Sequence, residues 1–332
     1  MKKVNSAARY RAQYDRHRAR LDQCLSGLVK ERSPRSLYEP LQYVLAGGGK
    51  RIRPVLLMLS CEAVGGDARN ALHAAAAIEI LHNFTLVHDD IMDNAASRRG
   101  RKTVHTKWDT NVAILVGDEL LALAYGELLR TRSPNIQEIA KTFTDGVVEV
   151  CEGQSYDKEF ETRSKVGVND YLLMIEKKTA KMVSASAEIG ALIGNGSRPA
   201  IRALRQYGHH VGLAFQIQDD LLDIMGNEEE LGKKVGGDLI EGKKTLLLLE
   251  ALGKARGRDK QLLKELVANK GCSPDRILEY RRIYIDTGAV VAAHLHIERE
   301  INRSKRELKR LPSTGAQAVL EWFAEMLLHR TF

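Results

Sequence analysis

Apolar residues recur at helical spacing along nearly the whole chain. Leu41, Val44 and Leu45 form one short stripe. Val55, Leu56, Leu59 and Ala63 form another directly after Pro54, a residue suited to a first helical turn. Residues 70–93 are Ala-rich, contain no Gly or Pro, and are apolar nearly all round, which predicts a buried helix. Further helices are predicted over about 110–130, 135–160, 169–194 and 199–225, with three or four shorter ones from about 244 to the end. Breaks are sparse: Ser33-Pro34, Gly47-Gly48-Gly49, Ser133-Pro134, Ser197 to Pro199, Gly236-Gly237, Ser273-Pro274 and Pro312. There is no solenoid period and no low-complexity linker. The pattern predicts one large all-α domain over residues 36 to about 330, with residues 1–30 as a charged helix packed on it or on a partner.

Composition agrees. Of 332 residues, 44% are hydrophobic, enough for a sizeable core and too many for a disordered chain. Aromatics at 5% and seven prolines argue against a sandwich or barrel of many short strands. No apolar stretch reaches the roughly 18 residues a membrane span needs. The basic N-terminus is followed by no apolar segment, so no secretory signal is expected. Cys24, Cys61, Cys151 and Cys272 show no C-x-x-C spacing and read as reduced thiols of a cytoplasmic protein. The net charge of +8 leaves nucleic acid, anionic lipid and small anionic substrates open.

Two segments depart from the helical background. Asp89, Asp90 and Asp93 form one D-D-x-x-D cluster, and Asp219, Asp220 and Asp223 form a second, 130 residues later. Positions i and i+4 share a helical face, so Asp89 with Asp93, and Asp219 with Asp223, can each reach a common point. Both clusters close strongly apolar helices, where three like charges are unfavourable unless a cation relieves them. Mg²⁺ suits such a site, because it takes one or two carboxylates, keeps waters and adds substrate phosphate oxygens.

Basic segments accompany the aspartates. Gly48-Gly49-Lys50-Arg51-Ile52-Arg53-Pro54 delivers three cations to a predicted helix N-terminus, a favourable place for phosphate. Arg98-Arg99-Gly100-Arg101 follows the first cluster, Lys177-Lys178-Thr179 lies mid-chain, and Lys233-Lys234 and Lys243-Lys244 follow the second cluster. This pattern suits phosphates held through metal on one side and directly on the other. It argues against a nucleic-acid stripe, since six aspartates would repel a polyanion and no basic segment is interleaved with aromatics.

These motifs, together with E-G-Q-S-Y-D at 152–157, K-K-T-A at 177–180, F-Q-I-Q-D-D-L-L-D at 215–223 and G-K-K-V-G-G-D-L-I-E-G-K-K-T at 232–245, resemble the trans-isoprenyl diphosphate synthases, or polyprenyl synthetases. The likeness covers about residues 36–250 and the remainder weakly, and within the family it is nearest to the geranylgeranyl diphosphate synthases. It implies an all-α bundle around a deep central cavity, usually a homodimer. The implied reaction joins isopentenyl diphosphate head-to-tail to an allylic diphosphate and releases pyrophosphate, with three Mg²⁺ ions. Carried over by motif, Asp89 and Asp93 would hold two ions and Asp219 the third, with Asp220 and Asp223 supporting and Asp90 also counted in the metal-binding set. Arg98, Lys178 and Lys233 would contact the allylic diphosphate, and Lys50, Arg53, His82 and Arg99 would bind isopentenyl diphosphate. Lys243 and Gln154 join the substrate-binding set. Thr179 and Gln216 would lie beside the reacting carbon, and Asp157 would orient Lys178. Pyrophosphate itself is the implied base, which leaves His88 and His105 as structural or orienting groups.

The resemblance also implies a hydrocarbon tunnel running down the helix from Asp89, with Phe84, Thr85 and Leu81 at its floor. A bulky Phe84 implies a C20 product, with C15 next and a longer polyprenyl chain as the other alternative. Other readings are a terpene cyclase or head-to-head synthase, a non-catalytic subunit, and a metal-dependent phosphohydrolase. The complete Lys50, Arg53 and Arg99 set disfavours the first, and two whole aspartate clusters disfavour the second. The nine-residue spacing of His73 and His82 disfavours the third. A C-terminal phosphate contact through Arg330 is a further expectation.

Overall fold

The computed structural model describes residues 2–29, 32–226, 235–311 and 314–329. Lys233 and Arg330, both expected to contact phosphate, lie outside the described residues. The described residues are helical, apart from loops and one two-stranded hairpin. The helices are α1 (Lys2–Gly27), α2 (Arg35–Leu45), α3 (Ile52–Ala63), α4 (Leu72–Met92), α5 (Val104–Lys107), α6 (Thr110–Leu129), α7 (Ile136–Thr162) and α8 (Val168–Ile175). A π-helical turn over Glu176–Ala180 leads into α9 (Lys181–Ile193), followed by α10 (Arg198–Met225) and the short α11 (Gly237–Ile240). The chain continues with α12 (Leu246–Lys254), α13 (Gly257–Ala268), α14 (Ile277–Asp286), α15 (Ala289–Leu308) and α16 (Thr314–His329). No helix among the described residues is long and apolar enough to cross a membrane.

The helix boundaries follow the apolar pattern closely. Three features do not. The single run expected over 169–194 is interrupted by the π-turn. The R-R-G segment forms strands β1 (Ser97–Arg98) and β2 (Arg101–Lys102), paired antiparallel with Arg98 opposite Arg101. Beyond residue 244 the described residues form five α-helices rather than three or four, because Gly257, Gly271 and Gly288 at positive φ divide the segment.

The chain divides into two compact units. Unit one comprises Met1–Thr144, Ala185–Leu204 and Leu311–Trp322. At its centre α4 packs against α3 and α6, with Ala74 to Leu81 buried on every side, an apolar run broken only by the buried Glu79. A small residue also lets α9 approach α3: a β-carbon on Gly190 would lie 2.0 Å from the Leu57 carbonyl oxygen. Helix α1 covers α3 and α4 through Tyr14, Leu21 and Leu25, which share one buried face.

Unit two comprises Asp145–Ser184, Arg205–Arg310 and Phe323–Phe332. Here α12 is enclosed by α8, α13, α14 and α15, which accounts for its four consecutive buried leucines, Leu246 to Leu249. The π-turn sits where backbones approach closely. A β-carbon on Gly153 of α7 would lie 2.3 Å from the Lys178 amide nitrogen, and one on Gly212 of α10 would lie 2.6 Å from the Ala180 α-carbon. Two glycines thus bring α7 and α10 against the turn that carries Lys178 and Thr179.

Candidate active site

The first aspartate cluster closes α4 in unit one. Three carboxylates at a helix C-terminus oppose the helix dipole, so a nearby cation is stabilising. The hairpin supplies one: Arg98 Nε donates to Asp90 Oδ1 at 2.7 Å. Burial pushes Asp90 above the ordinary carboxylate range, with Arg98 pulling the other way. Asp90 is therefore turned onto Arg98. Asp89 is half-buried and Asp93 exposed, one turn apart, with the Asp93 amide donating to the Asp89 carbonyl at 2.8 Å.

The hairpin turns at Arg99 (φ 52°) and Gly100 (φ 72°), both central residues in the left-handed region, as a two-residue type I′ turn requires. That turn carries Arg99 back to the G-G-K-R segment, where its guanidinium donates to the Gly48 carbonyl. Gly49 leaves room for it, since a β-carbon there would lie 3.0 Å from Arg99 Nη1. A cavity of about 60 Å³ beside Asp90 is lined by Arg98, Arg99, Arg101, Tyr43 and Asn83, among others. The Arg101 guanidinium stacks over the Tyr43 ring at 3.8 Å.

Of the three cations of the G-G-K-R-I-R segment, Lys50 is exposed, and Arg51 and Arg53 have different fates. Arg51 is buried, with Nη1 on Glu79 at 2.5 Å and Nε on Asp22 at 2.9 Å. Burial acts against its charge, but Glu79 and Asp22 outweigh that and hold the guanidinium above its ordinary pKa. Arg51 is thus structural. Arg53 Nη1 donates to His82 Nε2 at 3.3 Å. Burial, followed by repulsion from Arg53 and Arg99, drives His82 well below the usual imidazole range, so it stays neutral and accepts from Arg53.

Lower on α4, the Phe84 ring is buried edge-on against His88, with centroids 4.7 Å apart. His88 in turn lies against Gly117 of α6, where a β-carbon would be 2.0 Å from Nε2. Buried His88 Nε2 and both His105 ring nitrogens have no hydrogen-bond partner among the described residues, which suits packing better than proton transfer. The Thr85 hydroxyl folds back onto the His82 carbonyl at 2.9 Å, and Leu81 is buried.

The second cluster lies on α10 in unit two, in a connected set of side chains. Thr179 Oγ1 donates to Gln216 Oε1 at 2.8 Å, and Gln216 Nε2 donates to Asp220 Oδ1 at 2.9 Å. Tyr171 donates its hydroxyl to Asp220 Oδ2 at 2.6 Å. Burial pushes Asp220 up to about 7, with the Tyr171 and Gln216 hydrogen bonds acting in the opposite direction. Tyr171 carries no motif signal. It reads as one more apolar position of α8, and only the packing reveals it as a partner of Asp220.

Loop backbone fixes Asp223: the Asp238 amide donates to Oδ2 at 2.9 Å and the Gly236 amide to its carbonyl at 2.6 Å. Lys178 Nζ donates to Asp157 Oδ2 at 2.6 Å, with Gln154 buried one turn earlier on α7. Lys177 points to different partners, Glu149 at 2.7 Å and Glu152 at 2.5 Å. Lys243 Nζ lies 2.7 Å from Glu241. Lys244 caps the C-terminal end of α7 through the Phe160 and Arg163 carbonyls, a structural task for a cation.

Each cluster offers hard carboxylate oxygens with a fixed cation close by. Among the described residues no three carboxylates, imidazoles or thiolates converge on a single point. Such donors fit a divalent ion that takes one or two carboxylates and completes its shell with water and phosphate oxygen. The upward shifts at Asp90 and Asp220 mark sites where an added positive charge would relieve desolvated carboxylates.

Comparison with known proteins places this geometry. The polyprenyl synthetase family pattern matches residues 34–283. A short chain isoprenyl diphosphate synthase from Methanothermobacter thermautotrophicus is 39% identical over 311 residues, 93% of this chain and 95% of that protein. A geranylgeranyl pyrophosphate synthase from Geoglobus acetivorans is 40% identical over 314 residues, 91% and 93% of the two chains. The crystal structure of geranylgeranyl pyrophosphate synthetase from Pyrococcus horikoshii superposes with a TM-score of 0.90 at 36% identity, covering 97% of this chain and 99% of that one. The family typically uses a divalent metal. The chain belongs to the polyprenyl synthetase family and is a prenyltransferase.

Proposed function

We propose that the protein condenses isopentenyl diphosphate with an allylic diphosphate, head-to-tail, to give geranylgeranyl diphosphate and pyrophosphate. The observation that carries this reading is the pair of D-D-x-x-D clusters together with two carboxylate-held cations: Arg98 on Asp90 of the first cluster, and Lys178 on Asp157 of α7. In the reaction the allylic C–O bond breaks, a C–C bond forms to the isopentenyl double bond, and one proton leaves to the pyrophosphate. Three bound Mg²⁺ ions, held by Asp89, Asp93 and Asp219, would neutralise the diphosphate and make it a competent leaving group.

The chain's own groups do the rest. Arg98 and Lys178 bind the allylic diphosphate where negative charge develops, and both are preorganised by their carboxylates. Asp90, Asp220 and Asp223 hold the site together through Arg98, through Tyr171 and Gln216, and through the Gly236–Asp238 backbone. Lys50, Arg53 and Arg99 bind isopentenyl diphosphate, and neutral His82 orients Arg53. Gln154 and Lys243 add polar contacts to the substrates. Thr179 and Gln216, locked to each other, present neutral oxygen dipoles that favour positive charge on the reacting carbon. Phe84, backed by His88 and Gly117, stops the growing chain, with Leu81 and Thr85 beside it. Ile114 and Leu115, exposed on α6, support the proposal that a second copy of the chain covers that helix.

Incubation of the protein with Mg²⁺, labelled isopentenyl diphosphate and each of dimethylallyl, geranyl and farnesyl diphosphate tests the reading. Elongation ending at C20 is expected, and absence of elongation from every primer refutes it. Phe84→Ala removes the stop, and chromatography of its products should show chains beyond C20; an unchanged product spectrum would eliminate Phe84 as the floor. Asp157→Asn weakens a charge-assisted hydrogen bond, so kcat/KM should fall about 10- to 100-fold at near-normal thermal stability. Wild-type kcat/KM in that variant contradicts the orienting role of Asp157.

A further inference from the structure

We infer that the N-terminal helix α1 is a positioning element for the turn at residues 48–53, and that Tyr14 and Asp22 are positioning residues for Lys50 and Arg53. This rests on the proposal that the turn binds isopentenyl diphosphate. The turn is not self-supporting. Gly48 (φ 66°), Gly49 (φ 144°) and Arg51 (φ 56°) all have positive φ, and Arg51 adopts it without a glycine's freedom. Arg51 is also the N-cap of α3, and its side chain makes no capping hydrogen bond. The conformation therefore depends on ties from outside.

Four side-chain ties to the turn stand out, and two come from α1. Arg99 donates to the Gly48 carbonyl, and Glu79 holds Arg51 from α4. From α1, the Tyr14 hydroxyl donates to the Lys50 carbonyl, and Asp22 accepts from Arg51 Nε at 2.9 Å. Helix α1 is anchored in its turn. Gln13 and His17 bond Glu62 of α3 at 2.7 and 3.1 Å. Tyr14 meets the Trp322 ring of α16 edge-on at 6.3 Å.

Lys50 and Arg53 flank Arg51 closely, so a backbone tilt at Arg51 moves both cations together. A cavity of about 260 Å³, lined by Asp22, Leu25, Val29, Leu45, Gly48 and Arg51, leaves the turn room to shift once the ties are cut. Small misplacements of binding groups are costly when two substrates must meet in a fixed geometry. The ties from α1 act through the backbone of Lys50 and the side chain of Arg51.

Steady-state kinetics and hydrogen exchange on the full-length variants Asp22→Asn, Tyr14→Phe and Asp22→Glu test this. In the first two, KM for isopentenyl diphosphate should rise about two- to tenfold, the scale of one lost hydrogen bond. KM for the allylic diphosphate and kcat should stay unchanged, exchange at residues 47–53 should quicken, and Asp22→Glu should restore wild-type values. Asp22 is half-exposed, so Asp22→Asn remains informative if Tyr14→Phe fails to fold. An unchanged KM for isopentenyl diphosphate, or an equal rise in both KM values, overturns the inference. If the wild type shows no elongation, the proposed reaction falls, and exchange at residues 47–53 alone decides whether α1 holds the turn: faster exchange in the variants supports it, and wild-type exchange overturns it.

Discussion

Three of the cations proposed to meet diphosphate are held by carboxylates before any substrate arrives. Arg98 lies on Asp90, Lys178 on Asp157 and Lys243 on Glu241. A long flexible cation in water has many conformations and little preference for any phosphate geometry. Paired with a carboxylate that the fold has partly desolvated, it is confined to one position and ready for an incoming anion. The same pairing limits the charge that either aspartate cluster presents. Asp90 is committed to Arg98, and Asp220 to Tyr171 and Gln216; the resemblance to the family is what proposes Asp89, Asp93 and Asp219 as metal ligands.

Backbone geometry makes these pairings possible. Lys178 and Thr179 reach their partners because the chain between α8 and α9 takes a π-turn, a feature that frequently marks functional positions in helices. Gly153 and Gly212 have no side chains, so α7 and α10 approach that turn closely. In unit one the hairpin plays the corresponding part. Its I′ turn at Arg99-Gly100 sets Arg98 toward Asp90 and Arg99 toward Gly48. In each unit, local backbone irregularity within regular helical packing sets the chemically important side chains.

Much of this was legible in the sequence, for a physical reason. Helical period marks buried faces, so α4, α6, α7 and α10 fall within a few residues of their expected limits. Carboxylates spaced i and i+4 at the end of an apolar helix announce themselves because they are unfavourable there without a cation. What stayed hidden depends on tertiary contact. Tyr171 looks like any apolar helical residue until α8 packs beside Asp220. Arg51 looks like a third phosphate-binding cation until Glu79 and Asp22 enclose it. Lys244 resembles its neighbour Lys243 until it is seen on the carbonyls that end α7. The R-R-G segment lacks the usual Asn-Gly or Asp-Gly hairpin signature, so its two short strands could not be read from composition.

The central claim is that each aspartate cluster is an incomplete metal site that diphosphate completes. Isothermal titration of Mg²⁺ into the protein, with and without saturating pyrophosphate, tests it most directly. Because the protein gives each ion few ligands and phosphate oxygens must supply the rest, Mg²⁺ should bind weakly alone and at least about tenfold more tightly with pyrophosphate present. Reciprocal tightening of pyrophosphate by Mg²⁺ should accompany it, and Asp219→Asn should diminish both. Equal Mg²⁺ affinity with and without pyrophosphate would contradict the account.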